Sequence, residues 1–154
     1  MIEKMVIPVR SFRKMLLEPT DDIVRYYCYM EIHDIPYIWN AYNTHRSELD
    51  GGEAEEALAT ELLLHNPRKF HLMTKGITLK ASKVLFDNRP SRRNIELVLD
   101  DGVGDGIYCG GALLDAIFQH RNEDMCQRAI YVEVELLTGV SAESMEEFEH
   151  QRSL

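Results

Sequence analysis

Two adjacent glycines, Gly110-Gly111, stand between a short apolar run and an amphipathic segment, and they constrain the fold more than any other feature of the chain. Residues 104–121, GDGIYCGGALLDAIFQHR, read as a buried strand at 106–109, a double-glycine turn and a helix over 112–121. Within the helix Leu113, Leu114, Ile117 and Phe118 recur at the spacing of one apolar face. A strand that turns through glycines into a helix presents free backbone N–H groups at the helix start, where an anion such as phosphate is favoured.

The flanking segments alternate between strand and helix patterns. Residues 5–17 read as a short strand or irregular arm ended at Pro19, and residues 23–32 (IVRYYCYMEI) as a β-branched and aromatic strand. Residues 43–52 are turn-prone. Residues 53–65 form a helix with Ala54, Ala57, Leu58, Leu62 and Leu63 on one face and glutamates in its first turn, stopped by Asn66-Pro67. Residues 77–86 read as one alternating strand, paired in a hairpin with 95–99. Residues 100–106 (DDGVGDG) fit no phosphate-binding or calcium-binding spacing and read as a flexible connector. A strand at 129–137 directs Ile130, Val132, Val134 and Leu136 one way and Tyr131, Glu133 and Glu135 the other. A final helix at 142–152 takes Ser141 as its cap. The expected fold is therefore α+β, one mixed-sheet domain over 1–154, with residues 1–36 supplying an N-terminal arm and the first strand.

Composition narrows the function classes. The formal net charge of −9 opposes general nucleic-acid binding, which needs a positive face. Yet residues 68–93 carry eight Lys and Arg against the single acid Asp87, while the C-terminal segment collects Glu143, Glu146, Glu147 and Glu149. A dipolar surface follows, as does a second reading in which the acidic helix docks a protein partner. No apolar run reaches the roughly 20 residues of a membrane span. The N-terminus has no secretory pattern, and three scattered cysteines favour reduced thiols, so a cytoplasmic location is expected. Cys109 lies beside the helix start but His120 is too far along the helix to serve it as a base. No zinc spacing joins the histidines and cysteines. No catalytic residue, metal or cofactor is assigned.

Four boxes, read in order, resemble the abortive-infection phage-resistance family, which is related to DGQHR-type and ParB-like domains. They are Asn43-Thr-His-Arg46; the helix with Asn66-Pro-Arg-Lys-Phe70 and Thr74-Lys-Gly-Ile77; Gly106-Ile-Tyr-Cys-Gly-Gly-Ala-Leu113; and Val132–Gly139 with the capped helix that follows. The resemblance covers residues 37–154. It implies a ParB-like strand–glycine turn–helix core and a role in phage–bacterium conflict. It also implies a nucleotide- or nucleic-acid-facing site near the turn, with Asn43, Arg46, Lys75, Arg92, Arg93, Gly110 and Gly111 as contacts. Cys109 and Ala112 stand where the family box has Asp and His, and Thr74 where it has Asn, so the expected domain is degenerate, minimal and non-catalytic. An NTP-hydrolysing or nuclease-like enzyme is the weaker alternative.

Overall fold

Ala81 and Ser82 make consecutive backbone bonds to different sheets: Ala81 N–H donates to Leu137 O and Ser82 N–H to Val98 O, both at 2.9 Å. The segment expected as one strand is thereby divided between two. A computed structural model describes residues 1–16, 22–41, 52–89 and 92–153. Its strands are β1 (Ile2–Pro8), β2 (Ser11–Met15), β3 (Val24–Glu31), β4 (Ile77–Lys80), β5 (Lys83–Arg89), β6 (Arg92–Asp100), β7 (Gly106–Cys109) and β8 (Tyr131–Thr138). Its helices are α1 (Gly52–His65), the one-turn α2 (Phe70–Met73), α3 (Gly111–His120) and α4 (Ala142–Ser153).

One sheet has the order β1-β6-β5 and the other β2-β3-β8-β4-β7. All pairs are antiparallel except β4 with β8. The expected N-terminal arm is two strands, one in each sheet, so the chain crosses between sheets at residues 9–10 as it does at 81–82. A single apolar cluster joins Ile7, Ile95, Leu97 and Leu99 of the smaller sheet to Met30, Leu79, Ile107, Val132 and Leu136 of the larger. Leu63, Leu113 and Ile117 of the helices close it. The architecture is α+β.

The hydrophobic face of α1 is rotated from the expected one. Ala59, Leu62 and Leu63 are buried where α1 packs on α3 and the core, and Leu58 is 42% exposed. In α3, Leu113, Leu114 and Ile117 are buried as the spacing requires, with Phe118 packed at the margin. Ser141 caps α4 by accepting from the Ser144 N–H at 3.1 Å.

The segment expected to be a flexible connector is instead tied down. Asp105 has a fully buried side chain. It accepts from Lys80 Nζ at 2.6 Å, from Ser82 Oγ at 2.5 Å and from the Asp100 N–H at 2.9 Å. A buried carboxylate persists only when its lone pairs are filled in this way, and here the filling brings β4, β6 and the loop to one point. Trp39 Nε1 donates to Asp105 O at 2.7 Å and Tyr108 OH to Gly104 O at 2.7 Å, which complete the anchoring.

Candidate functional site

The double-glycine turn is packed shut. Gly110 has φ +94°, and a Cβ there would lie 2.6 Å from Gly76 O and 2.9 Å from Ile77 Cα. A Cβ on Gly76, at φ +82°, would likewise lie 2.6 Å from Glu133 O. The two glycines thus stack the turn on the β4 entry and the β4 entry on β8. A Cβ on Gly111 would run into the Asn40 side chain. Close backbone approach is a sufficient reason for glycine here.

The same stacking sets Lys75 beside the turn, so these are the expected contacts that the fold brings together. Arg93 goes elsewhere: its carbonyl accepts from the Val9 N–H at 2.9 Å, next to the chain entering β2. Strand β2 and strand β7 are opposite edges of the larger sheet, so Arg93 is remote from Gly110. Arg92 opens β6 in the same hairpin. Asn43 and Arg46 lie outside the described residues.

Near Lys75 lies the face of the larger sheet turned away from the core. Helix α4 covers its lower part, where Met145 and Phe148 pack on Tyr108 and Leu137. Arg25 there has its guanidinium 3.2 Å from Glu135 Oε2 and stacked 5.9 Å over Phe148. Above that level the β2–β3–β8–β4 register sets Arg13 opposite Tyr27, Tyr27 opposite Glu135 and Glu135 opposite Thr78. One row further, Ser11, Tyr29 and Glu133 lie abreast, and in the next Tyr131 carries the Arg10 guanidinium 5.9 Å over its ring. His71 of α2 meets the Tyr29 ring edge-on with centroids 6.4 Å apart.

Two neighbouring hollows follow these rows. A groove of about 400 Å³ runs over Ser11, Arg13, Met15, Tyr27, Tyr29 and Glu133. A chamber of about 100 Å³ lies between Tyr27, Lys75, Thr78, Glu133 and Glu135. Tyr27 and Glu133 line both. Glu135 is 5% exposed, with Oε1 3.5 Å from Thr78 Oγ1.

Of the residues lining the two hollows, sequence reasoning singled out only Lys75 as a contact. The signal for the others was the alternation in residues 25–31, where Arg25, Tyr27, Tyr29 and Glu31 interleave with Tyr26, Cys28 and Met30, all buried. It marks a strand with one polar–aromatic face, a face a protein seldom leaves bare without use.

None of the three cysteines is in a disulfide. Burial, then Glu133, pushes the Cys28 thiol up to about 12, and burial, then Glu123, raises that of Cys126. Neither is disposed to act as a thiolate near neutral pH. Among the described residues, no group of three or more His, Cys, Asp or Glu could hold a metal ion, and no helix is long and apolar enough to cross a membrane. Protein-family models, characterised proteins and solved structures return no match to the chain.

Proposed function

We propose that the protein is a non-catalytic binding domain that holds a nucleotide, free or within a short single strand, across the open face of its larger sheet. The observation that carries this reading is the pair Tyr27 and Tyr29, half-buried on the face of the larger sheet turned away from the core, with Arg13 lining the groove over them and Lys75 lining the chamber beside Tyr27. Tyrosine rings on a sheet offer stacking platforms to bases, and flanking cations take phosphate. From β2 to β4 is three strand spacings, about 14 Å, a span suited to a nucleotide and not to a lone phosphate.

The net charge of −9 shapes the ligand. A long polyanion meets the whole field of the protein, whereas a mononucleotide or short strand meets the local cations. The family resemblance supplies the setting, a cytoplasmic role in phage–bacterium conflict. The expected site near the glycine turn moves along Lys75 onto the sheet, and Arg92 and Arg93 leave it.

Fluorescence anisotropy at low salt with labelled nucleotides and short DNA and RNA strands tests the reading. Binding is expected, weakened about tenfold or more by Tyr27→Ala or Tyr29→Ala, since one stacked base contributes about 1–3 kcal/mol. Absence of binding to every probe, or binding untouched by both changes and by Arg13→Ala, rejects it.

A further inference from the structure

The face of the larger sheet turned away from the core carries its rings in a fixed order. Tyr27 and Tyr29 alternate on β3, so they share that face about 6.8 Å apart, two strand rises. The positions beyond them are taken. At one end Arg25 is stacked on Phe148 of α4, 5.9 Å from the ring centroid. At the other, the Arg10 guanidinium lies 5.9 Å over the Tyr131 ring. Among the described residues, the row thus holds two ring platforms with a stacked arginine closing each end. His71 braces the Tyr29 ring at 90°.

Charge beside these platforms is divided by strand. On β2, Arg13 stands opposite Tyr27 and Ser11 opposite Tyr29, and the Arg10 N–H donates to Tyr29 O at 2.8 Å. Arg13 is exposed and makes no hydrogen bond or ion pair with any described residue. The carboxylates lie on the β8 side: Glu133 opposite Tyr29, and Glu135 opposite Tyr27 with Arg25 3.2 Å away. Phosphates are drawn to the β2 side of the tyrosines and repelled from the β8 side.

We infer that the ligand is an unpaired nucleic-acid strand with a footprint of two nucleotides, one base on Tyr27 and the next on Tyr29, its backbone running along β2. The inference rests on the nucleotide reading given above and names its substrate class. Successive nucleotides of one duplex strand are about 3.4 Å apart along the axis. Platforms about 6.8 Å apart need twice that spacing, which a strand reaches with its neighbouring bases unstacked and splayed onto the rings. The linking phosphate then falls beside Arg13 and Ser11, and the next one toward Arg10. Lys75, on the β4 side, stands beyond the base edges. The footprint ends at two bases because Tyr131 already carries Arg10 and Arg25 is stacked on α4. A short footprint also suits the net charge of −9, since two phosphates meet the local cations and a long polyanion meets the whole field.

The discriminating experiment is calorimetric titration at low salt with thymidine 5′-monophosphate, with 5′-phosphorylated thymidylate strands of two, three and six nucleotides, and with a blunt hairpin duplex. The wild-type protein is expected to bind the dinucleotide about tenfold more tightly than the monophosphate, because the second stacked base adds its own contribution. The longer strands should gain no more than the number of registers that two adjacent bases can take on them, and the duplex should bind more weakly than the dinucleotide. In Tyr27→Leu and in Tyr29→Leu, each checked for folding by circular dichroism, the ratio of dinucleotide to mononucleotide affinity is expected to fall to about one. Equal wild-type affinity for one and two nucleotides overturns the inference while leaving the nucleotide reading intact, as does a duplex that binds as tightly as the dinucleotide. A gain that continues at the same factor for every added nucleotide overturns the two-nucleotide footprint. A dinucleotide preference unchanged in both variants overturns the assignment to these tyrosines. No binding by any probe overturns both.

Discussion

The two ends of β7 make an instructive pair. Before it comes a glycine-rich acidic loop, after it a double-glycine turn, and by composition the first is a connector and the second a place for a ligand. Their roles in the fold are otherwise. The loop contains Asp105, whose buried carboxylate gathers Lys80, Ser82 and the Asp100 N–H. The turn is a packing surface, pressed against Gly76, Ile77 and Asn40 with no room for a β-carbon. Glycine content measures backbone freedom in the unfolded chain; what that freedom is used for depends on what lies within 3–4 Å in the folded one.

The largest effect expected from breaking this comparison is at the loop. Asp105→Ala leaves the buried Lys80 ammonium without its counter-charge and with the Val103 carbonyl as acceptor, and denaturant titration should show a loss of about 3–5 kcal/mol. A loss below about 1 kcal/mol would return the loop to the status of connector. Gly110→Ala comes next. At φ +94°, with Gly76 O in the way, it should cost about 1–3 kcal/mol by the same measurement. If it is neutral in stability but abolishes ligand binding, the turn is a binding element after all.

A smaller, pH-dependent effect is expected at the far end of the helix that the glycines begin. His33 Nδ1 lies 2.7 Å from Glu31 Oε1, and Nε2 lies 2.8 Å from Arg121 O, just beyond α3. Burial works against the imidazolium, but the hydrogen bonds to Glu31 and Arg121 outweigh it and raise the pKa above its ordinary 6.5. A raised value means the stabilisation is fully present below pH 6.5 and is lost as pH rises through the folded-state value. Comparing wild type with His33→Gln by thermal melts from pH 5 to pH 9 should show the difference shrinking upward; a difference growing with pH contradicts the assignment. Least affected should be Gly102→Ala, within the loop but free of positive φ, where the only close atom is Asp100 Oδ1 at 3.1 Å. A change within about 0.5 kcal/mol is expected, which would set Asp105 apart from its neighbours.

The unequal legibility of these features has a common cause. Ile130, Val132, Val134 and Leu136 announce a core face because side-chain direction along a strand is local, and the structure buries all four. Leu113, Leu114 and Ile117 do so for α3, and Ser141 for the start of α4. The division of residues 77–89 between two sheets was not legible, because Ala81 and Ser82 differ only in which distant carbonyl each finds. Nor was the burial of Lys80, Glu135 and Leu137, which alternation would send to water or the core by turn and which α4 and the Asp105 loop cover instead.

For the candidate site the contrast is sharper. Lys75 was legible as a cation near the glycine turn, and Arg93 looked equivalent, since both lie in one basic stretch. Sheet order separates them: Arg93 lies on β6 of the smaller sheet, beside the chain entering β2, and Lys75 precedes β4 of the larger. Arg13, Tyr27, Tyr29 and Glu133 come from the neighbouring β2 and β3 and the distant β8, and meet through register. From the sequence alone came the strand and helix periodicities, the capping residue and the α+β class, all of which depend on neighbours within a turn or a pleat. Only the tertiary structure decided which glycines are packed, which carboxylate is buried and which sheet face turns away from the core. Those depend on long-range contacts whose energies are set by what covers each surface, and no local pattern encodes that.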